Sequence, residues 1–124
     1  MLRITARFAD EWNTWGAPSM AGAARTKYDT ACASVERDPT SMWTSVQALV
    51  FITDDDAHTD RVKAGPMGAR AIAGSPDQLV DTMGEYAELG FDEFIVPDWN
   101  LGKTPEDRRQ ALERINDSIV SQFG

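Results

Sequence analysis

With 124 residues, 42% of them hydrophobic and 26% charged, the chain fits one soluble domain with a modest core, spanning residues 1–124. A formal charge of −8 argues against nucleic acid or an anionic membrane as partner, because both are bound through clustered Lys and Arg, and no such cluster is present. No apolar run approaches the roughly 20 residues that cross a bilayer, and the N-terminus lacks a basic flank ahead of an apolar centre, so a cytoplasmic protein is expected.

Leu2, Thr5, Ala6 and Ala9 recur at helical spacing, and Asp10 to Gly16 then carries two tryptophans before a Gly-Ala-Pro break. This reads as a helix tail running into a short strand, a chain that opens in mid-fold. Met20, Ala24, Tyr28, Ala31, Cys32 and Val35 mark one face of a helix over 18–36, with Arg25, Lys27 and Glu36 elsewhere, and Arg37-Asp38-Pro39 ends it. Cys32 lies within that stripe and reads as a buried structural thiol.

Trp43 to Ile52 reads as one strand covered on both faces, the mark of a parallel sheet. Residues 53–74 form the least legible stretch, long for a loop, so part of it is expected to be helical or a functional insertion. Asp54-Asp55-Asp56 lacks the spacing, glycine and distal glutamate of a calcium loop and reads as a solvated turn, with no metal site expected. His58, the sole histidine, reads as a solvated loop residue.

Ser75-Pro76-Asp77-Gln78 combines an N-cap serine, a proline at the first helical position and a glutamine that closes a capping box. Leu79, Val80, Met83, Tyr86 and Ala87 form the stripe that follows, Gly90 stops it, and Phe91 to Val96 is the next strand. Thr104-Pro105-Glu106-Asp107 starts a final helix striped by Ala111, Leu112, Ile115, Ile119 and Phe123. Helices alternating with about three short apolar strands predict right-handed crossovers and an α/β fold with a parallel sheet.

Four blocks carry a family resemblance: Ala9-Asp10-Glu11-Trp12-Asn13, Arg37-Asp38-Pro39, Ala73 to Val80, and Tyr86 to Pro97. In their order and spacing they resemble the bacterial luciferase-like monooxygenase family, especially its deazaflavin-dependent oxidoreductase branch. The resemblance implies the last three strand-helix units of a TIM (β/α)8 barrel, which normally takes about 250 residues. It also implies a deazaflavin (coenzyme F-420) or FMN as cofactor and a small organic molecule as substrate. Flavin and deazaflavin stay open, and the glycine-rich phosphate loop that precedes these blocks in the family does not appear. A half-barrel leaves two open edges and an inner face. If half a dozen inner side chains each lost about 1.5–3 kcal/mol of burial, the loss would rival the roughly 5–15 kcal/mol that holds a domain together. Self-association, or docking with a chain that supplies the missing barrel half, is therefore expected.

Barrel chemistry sits at the C-terminal ends of the strands, where the resemblance implies that the cofactor lies. Trp12 and Trp15 are positioned there as candidate walls of a ring-binding pocket, with Asn13 offering an amide. Trp99 with Asn100 forms a similar but looser group, and the Gly74-Ser75 amides at a helix start are candidate anion donors. No catalytic residue can be carried over from the family onto this chain. Three readings result: a fragment of a flavin- or deazaflavin-dependent oxidoreductase, inactive alone; a non-catalytic half-barrel assembly module that dimerises or docks on a full-length relative; and, with the resemblance accidental, a self-contained small α/β binding domain.

Overall fold

A computed structural model describes residues 1–123, in which helices and short parallel strands alternate. Helix α1 (Leu2–Phe8) leads into strand β1 (Glu11–Trp15), and helix α2 (Pro18–Ser34) crosses over to strand β2 (Trp43–Gln47). Strand β3 (Leu49–Ile52) continues the line of β2 after Ala48 and is followed by helix α3 (Asp56–Ala64) and strand β4 (Ala71–Gly74). Helix α4 (Pro76–Glu88), strand β5 (Glu93–Ile95) and helix α5 (Pro105–Ser118) complete the order. Proline opens α2, α4 and α5, at the position where a missing N–H costs nothing.

Strands β1, β2 and β5 form a parallel sheet with β2 in the middle, in register Glu11 with Trp43 on one side and Ser45 with Glu93 on the other. Parallel strands alternate with helices as predicted, in four strand-helix units, β1–α2, β2/β3–α3, β4–α4 and β5–α5. The stretch expected as one strand over 43–52 divides at Ala48, and its second half pairs with β4, a strand absent from the sequence reading. Residues 53–74 hold the expected helix, α3, as well as that strand. Gly16 donates its N–H to the Gln47 carbonyl, and the next N–H, of Ala17, goes to Ala69. The start of β4 is therefore held against the end of β1.

The core lies between the sheet and its helices. Ala21, Val46, Val50, Ile72, Leu79, Tyr86, Phe91, Ile115 and Ile119 pack as one buried cluster, and Ala6, Tyr28, Ala31, Cys32 and Met42 as another. Cys32 is buried, as its place in the stripe predicted. The phase of α2 differs from expectation: Ala21, Arg25, Tyr28 and Cys32 face inward, while Met20 is exposed. Arg25 enters the core because its charge is matched there. It donates to Asp29, to Thr44 Oγ1 and to the Gly90 carbonyl, and its guanidinium lies over the Tyr28 and Phe91 rings. Gly90 has φ +90°, and a Cβ there would sit 3.3 Å from that guanidinium.

Helix α1 is held by Arg37, whose guanidinium donates to the Ala6 and Ala9 carbonyls that the helix end leaves without partners. At α4 the capping box is complete, with Ser75 Oγ accepting from the Gln78 N–H and Gln78 Oε1 accepting from the Ser75 N–H. Ser75→Ala is expected to lower stability by about 1 kcal/mol, read as a lower urea midpoint at unchanged slope.

Candidate functional site

Side chains alternate across a strand, so the packing of one set fixes the direction of the other. Trp12, Thr44, Val46 and Phe94 all face the helix layer: Trp12 stacks on Tyr28 with centroids 4.5 Å apart, and Phe94 packs on Tyr86 at 5.2 Å. The alternate residues form the opposite, inner face in three rungs. Glu11 and Trp43 lie at the N-terminal end, Asn13, Ser45 and Glu93 in the middle, and Trp15, Gln47 and Ile95 at the C-terminal end. Two cross-strand bonds tie this face together, from Asn13 Nδ2 to Ser45 Oγ at 2.9 Å and from Trp43 Nε1 to Glu93 Oε2 at 3.2 Å.

This face corrects the expected cost of leaving the sheet uncovered. Of its eight residues five are Glu, Asn, Ser, Gln and Glu, so far less apolar area meets water than half a dozen greasy side chains would expose. The polar pair Ser45 and Gln47 was missed because Trp43 to Ile52 read as a strand buried on both faces. Their spacing of two was the signal that one face is not apolar.

The structure does not bring Trp12 and Trp15 to one wall. They stand three residues apart on β1, and Trp12 is stacked between Tyr28 and Phe91 in the helix layer. Asn13 and Trp15 share the inner face, two rungs of it, with Trp15 level with Gln47 at the strand ends. Gly16, immediately after, has φ +136°, and a Cβ there would meet the Met20 side chain at 2.7 Å, so the chain turns away from the mouth only with glycine at this point.

Gly74-Ser75 offers less to an anion than its sequence suggests. The Ser75 N–H is spent on Gln78, and Pro76 has none to give. Asn100 lies past the end of β5, where its Nδ2 donates to the Val50 carbonyl at 3.3 Å and its Oδ1 is buried without a partner. It lines a cleft of about 380 Å³ with His58, Leu101, Gln110 and Arg114, while Trp99 is exposed beside it. Among the described residues no three or more His, Cys, Asp or Glu side chains converge so as to hold a metal ion.

The donor set fits one part of a flavin or deazaflavin. An indole and an aliphatic side chain flank the Gln47 amide at the mouth, with Asn13 one rung below, and such amides can both give to and accept from the polar edge of a planar ring. The three rungs contain no Lys or Arg for the phosphate.

Neither a scan against protein-family models nor a search of curated proteins finds a match. Solved structures do match. A coenzyme F-420 dependent tetrahydromethanopterin reductase from Methanopyrus kandleri superposes with a TM-score of 0.72 at 16% identity, over 100% of this chain and 48% of that one. An EDTA monooxygenase from Chelativorans sp. BNC1 gives 0.63 at 16% identity over 98% of this chain and 43% of its own. An F-420-dependent secondary alcohol dehydrogenase, solved with an F-420-acetone adduct, gives 0.62 at 12% identity over 97% and 45%. The chain therefore spans less than half the length of each of these three structures. The match reaches the fold the residues pointed to: the chain has the parallel strand-helix architecture of these (β/α)8 barrels over a little under half of their length.

Proposed function

We propose that residues 1–124 form a single partial barrel domain that contributes one side of the ring-binding mouth of a luciferase-like oxidoreductase. FMN or deazaflavin would supply hydride transfer to or from a small organic substrate. The observation that carries this reading is the rung Trp15, Gln47 and Ile95 at the strand ends, set above Asn13, Ser45 and Glu93. In such a site Trp15 covers a ring face, while Gln47 and Asn13 hold its polar edge in one orientation. The Asn13 to Ser45 bond fixes the Asn13 amide before the ring arrives. Trp12 supports β1 from behind, wedged against Tyr28. The remaining wall and the phosphate contacts come from polypeptide beyond these strands, so the isolated chain binds weakly and is inactive alone. A cytoplasmic location suits this chemistry, and no helix among the described residues is long and apolar enough to cross a membrane.

Titration with FMN and with coenzyme F-420 tests the proposal. Binding is expected to quench Trp15 fluorescence, and Asn13→Leu to weaken the quench about tenfold, or about 1.4 kcal/mol. No quench with either cofactor would remove the enzymatic reading. It would leave the non-catalytic half-barrel module, which the uncovered outer edges of β1 and β5 favour. Both readings carry self-association, or docking on a chain with the missing barrel half.

A further inference from the structure

Two exposed patches of opposite character lie at opposite edges of the sheet. Helix α1, at the β1 end, carries Arg3 and Arg7 and no acidic residue, and its outer face groups them with Ile4 and Phe8, which are 63% and 74% exposed. At the β5 end, an apolar groove of about 300 Å³ runs between α4 and the end of α5, lined by Met83, Tyr86, Phe94, Ile119, Val120 and Phe123. On α4 the residues that line it are Met83, Tyr86 and Ala87, while Asp77, Asp81, Glu85 and Glu88 lie on other sides of that helix. Asp92 and Glu93 also line it, and their carboxylates accept hydrogen bonds only from the neutral groups of Thr44 and Trp43. Among the described residues, none of these arginines or acids takes part in an ion pair within the chain.

We propose that α1 of one copy seats in the α4–α5 groove of a second copy, and that the contact is reciprocal. Ile4 and Phe8 fill the apolar hollow while Arg3 and Arg7 meet Asp92 and Glu93 at its edge. The occupant is a second copy of this chain because α1 matches the groove in both respects, an apolar centre and complementary charge. Reciprocity follows from size. One face of a seven-residue helix is small beside the roughly 800 Å² per partner of a stable interface, and a two-fold arrangement doubles the contact and closes the assembly, whereas a head-to-tail arrangement would grow filaments.

The inference rests on the self-association reading above and is independent of cofactor binding. Phe8→Asp and Val120→Asp alter side chains that are 74% and 51% exposed, so each variant is expected to fold. By light scattering the parent chain is expected to be a dimer and each variant a monomer. Mixing the two variants should give at most a weak heterodimer, since only one of the two reciprocal contacts is then intact. Arg3→Glu with Arg7→Glu should weaken the dimer at least tenfold, and adding Glu93→Lys should recover part of that loss. A parent chain monomeric at every soluble concentration would sink both this interface and self-association. A dimer untouched by Phe8→Asp and Val120→Asp would sink this interface and leave self-association standing.

Discussion

Arg25→Ala is expected to destabilise the protein by about 3 kcal/mol, a large part of the roughly 5–15 kcal/mol that a domain of this size holds. Arg25 is 9% exposed, and its guanidinium serves three elements at once. Its bond to the Gly90 carbonyl at 2.7 Å ties α2 to the turn between α4 and β5, and its bond to Thr44 Oγ1 at 3.2 Å ties it to the start of β2. Hydrogen bonds to a charged donor are worth about 1.5–3 kcal/mol each, and a cation over an aromatic ring adds about 0.5–2 kcal/mol. Part of this is offset by the cost of keeping the charge out of water. Thr44 Oγ1 still donates to Gly90 after the substitution, which keeps that carbonyl satisfied. The pair with Asp29 adds little, because Asp29 is half exposed. Arg25→Met separates the contributions: it keeps the aliphatic stem against Tyr28 and Phe91 and is expected to recover about 1 kcal/mol of the loss. Urea unfolding of the three proteins measures both differences. A midpoint for Arg25→Ala within error of the parent would show that the sheet is held without this clasp.

Arg25 also shows where the sequence misleads. Local spacing puts the buried stripe through Met20 and Ala24, because an arginine reads as a surface residue. The observed face runs through Ala21, Arg25, Tyr28 and Cys32, one position on. Partners that make burial of the charge affordable lie at Thr44 and Gly90, far along the chain, and local spacing cannot reveal them. Signals with a purely local cause were legible: the capping box at Ser75, the proline at the start of α4 and of α5, and the Gly90 stop. Strand β4 escaped because Ala71–Gly74 is short and small and is recruited by β3 rather than by its own propensity. In the candidate site, Asn13 and Trp15 were legible as polar and aromatic residues at a strand end. Ser45, Gln47 and Glu93 required the register that sets three strands side by side.

Raising the pH above about 10, where an exposed phenol loses its proton, is expected to unfold the protein through its two buried tyrosines. Tyr28 donates to the Pro39 carbonyl and Tyr86 to the Gly16 carbonyl, each at 2.8 Å. Burial pushes Tyr28 up to about 12, with the neighbouring Cys32 adding to the rise and Arg25 and Arg37 pulling against it. Burial, with the nearby Glu85 charge, also raises Tyr86. The folded protein thus holds protons that the unfolded chain has already released. This contribution is present in full below about pH 10 and is lost as pH climbs through about 12 for Tyr28, and further for Tyr86. Tyr86→Phe leaves the Gly16 carbonyl without its phenol, which is expected to cost about 1–3 kcal/mol at neutral pH. The same variant should flatten the alkaline decline, because phenylalanine has no proton to lose. Urea midpoints at pH 7, 9 and 11 for the parent, Tyr28→Phe and Tyr86→Phe measure both effects, and an alkaline decline equally steep in all three would refute this assignment. The two tyrosines differ in what they hold. Tyr28 braces the turn after α2, whereas Tyr86 fixes the peptide that follows Trp15 at the mouth. Tyr86→Phe should therefore also weaken cofactor quenching of Trp15, and Tyr28→Phe should leave that quenching unchanged.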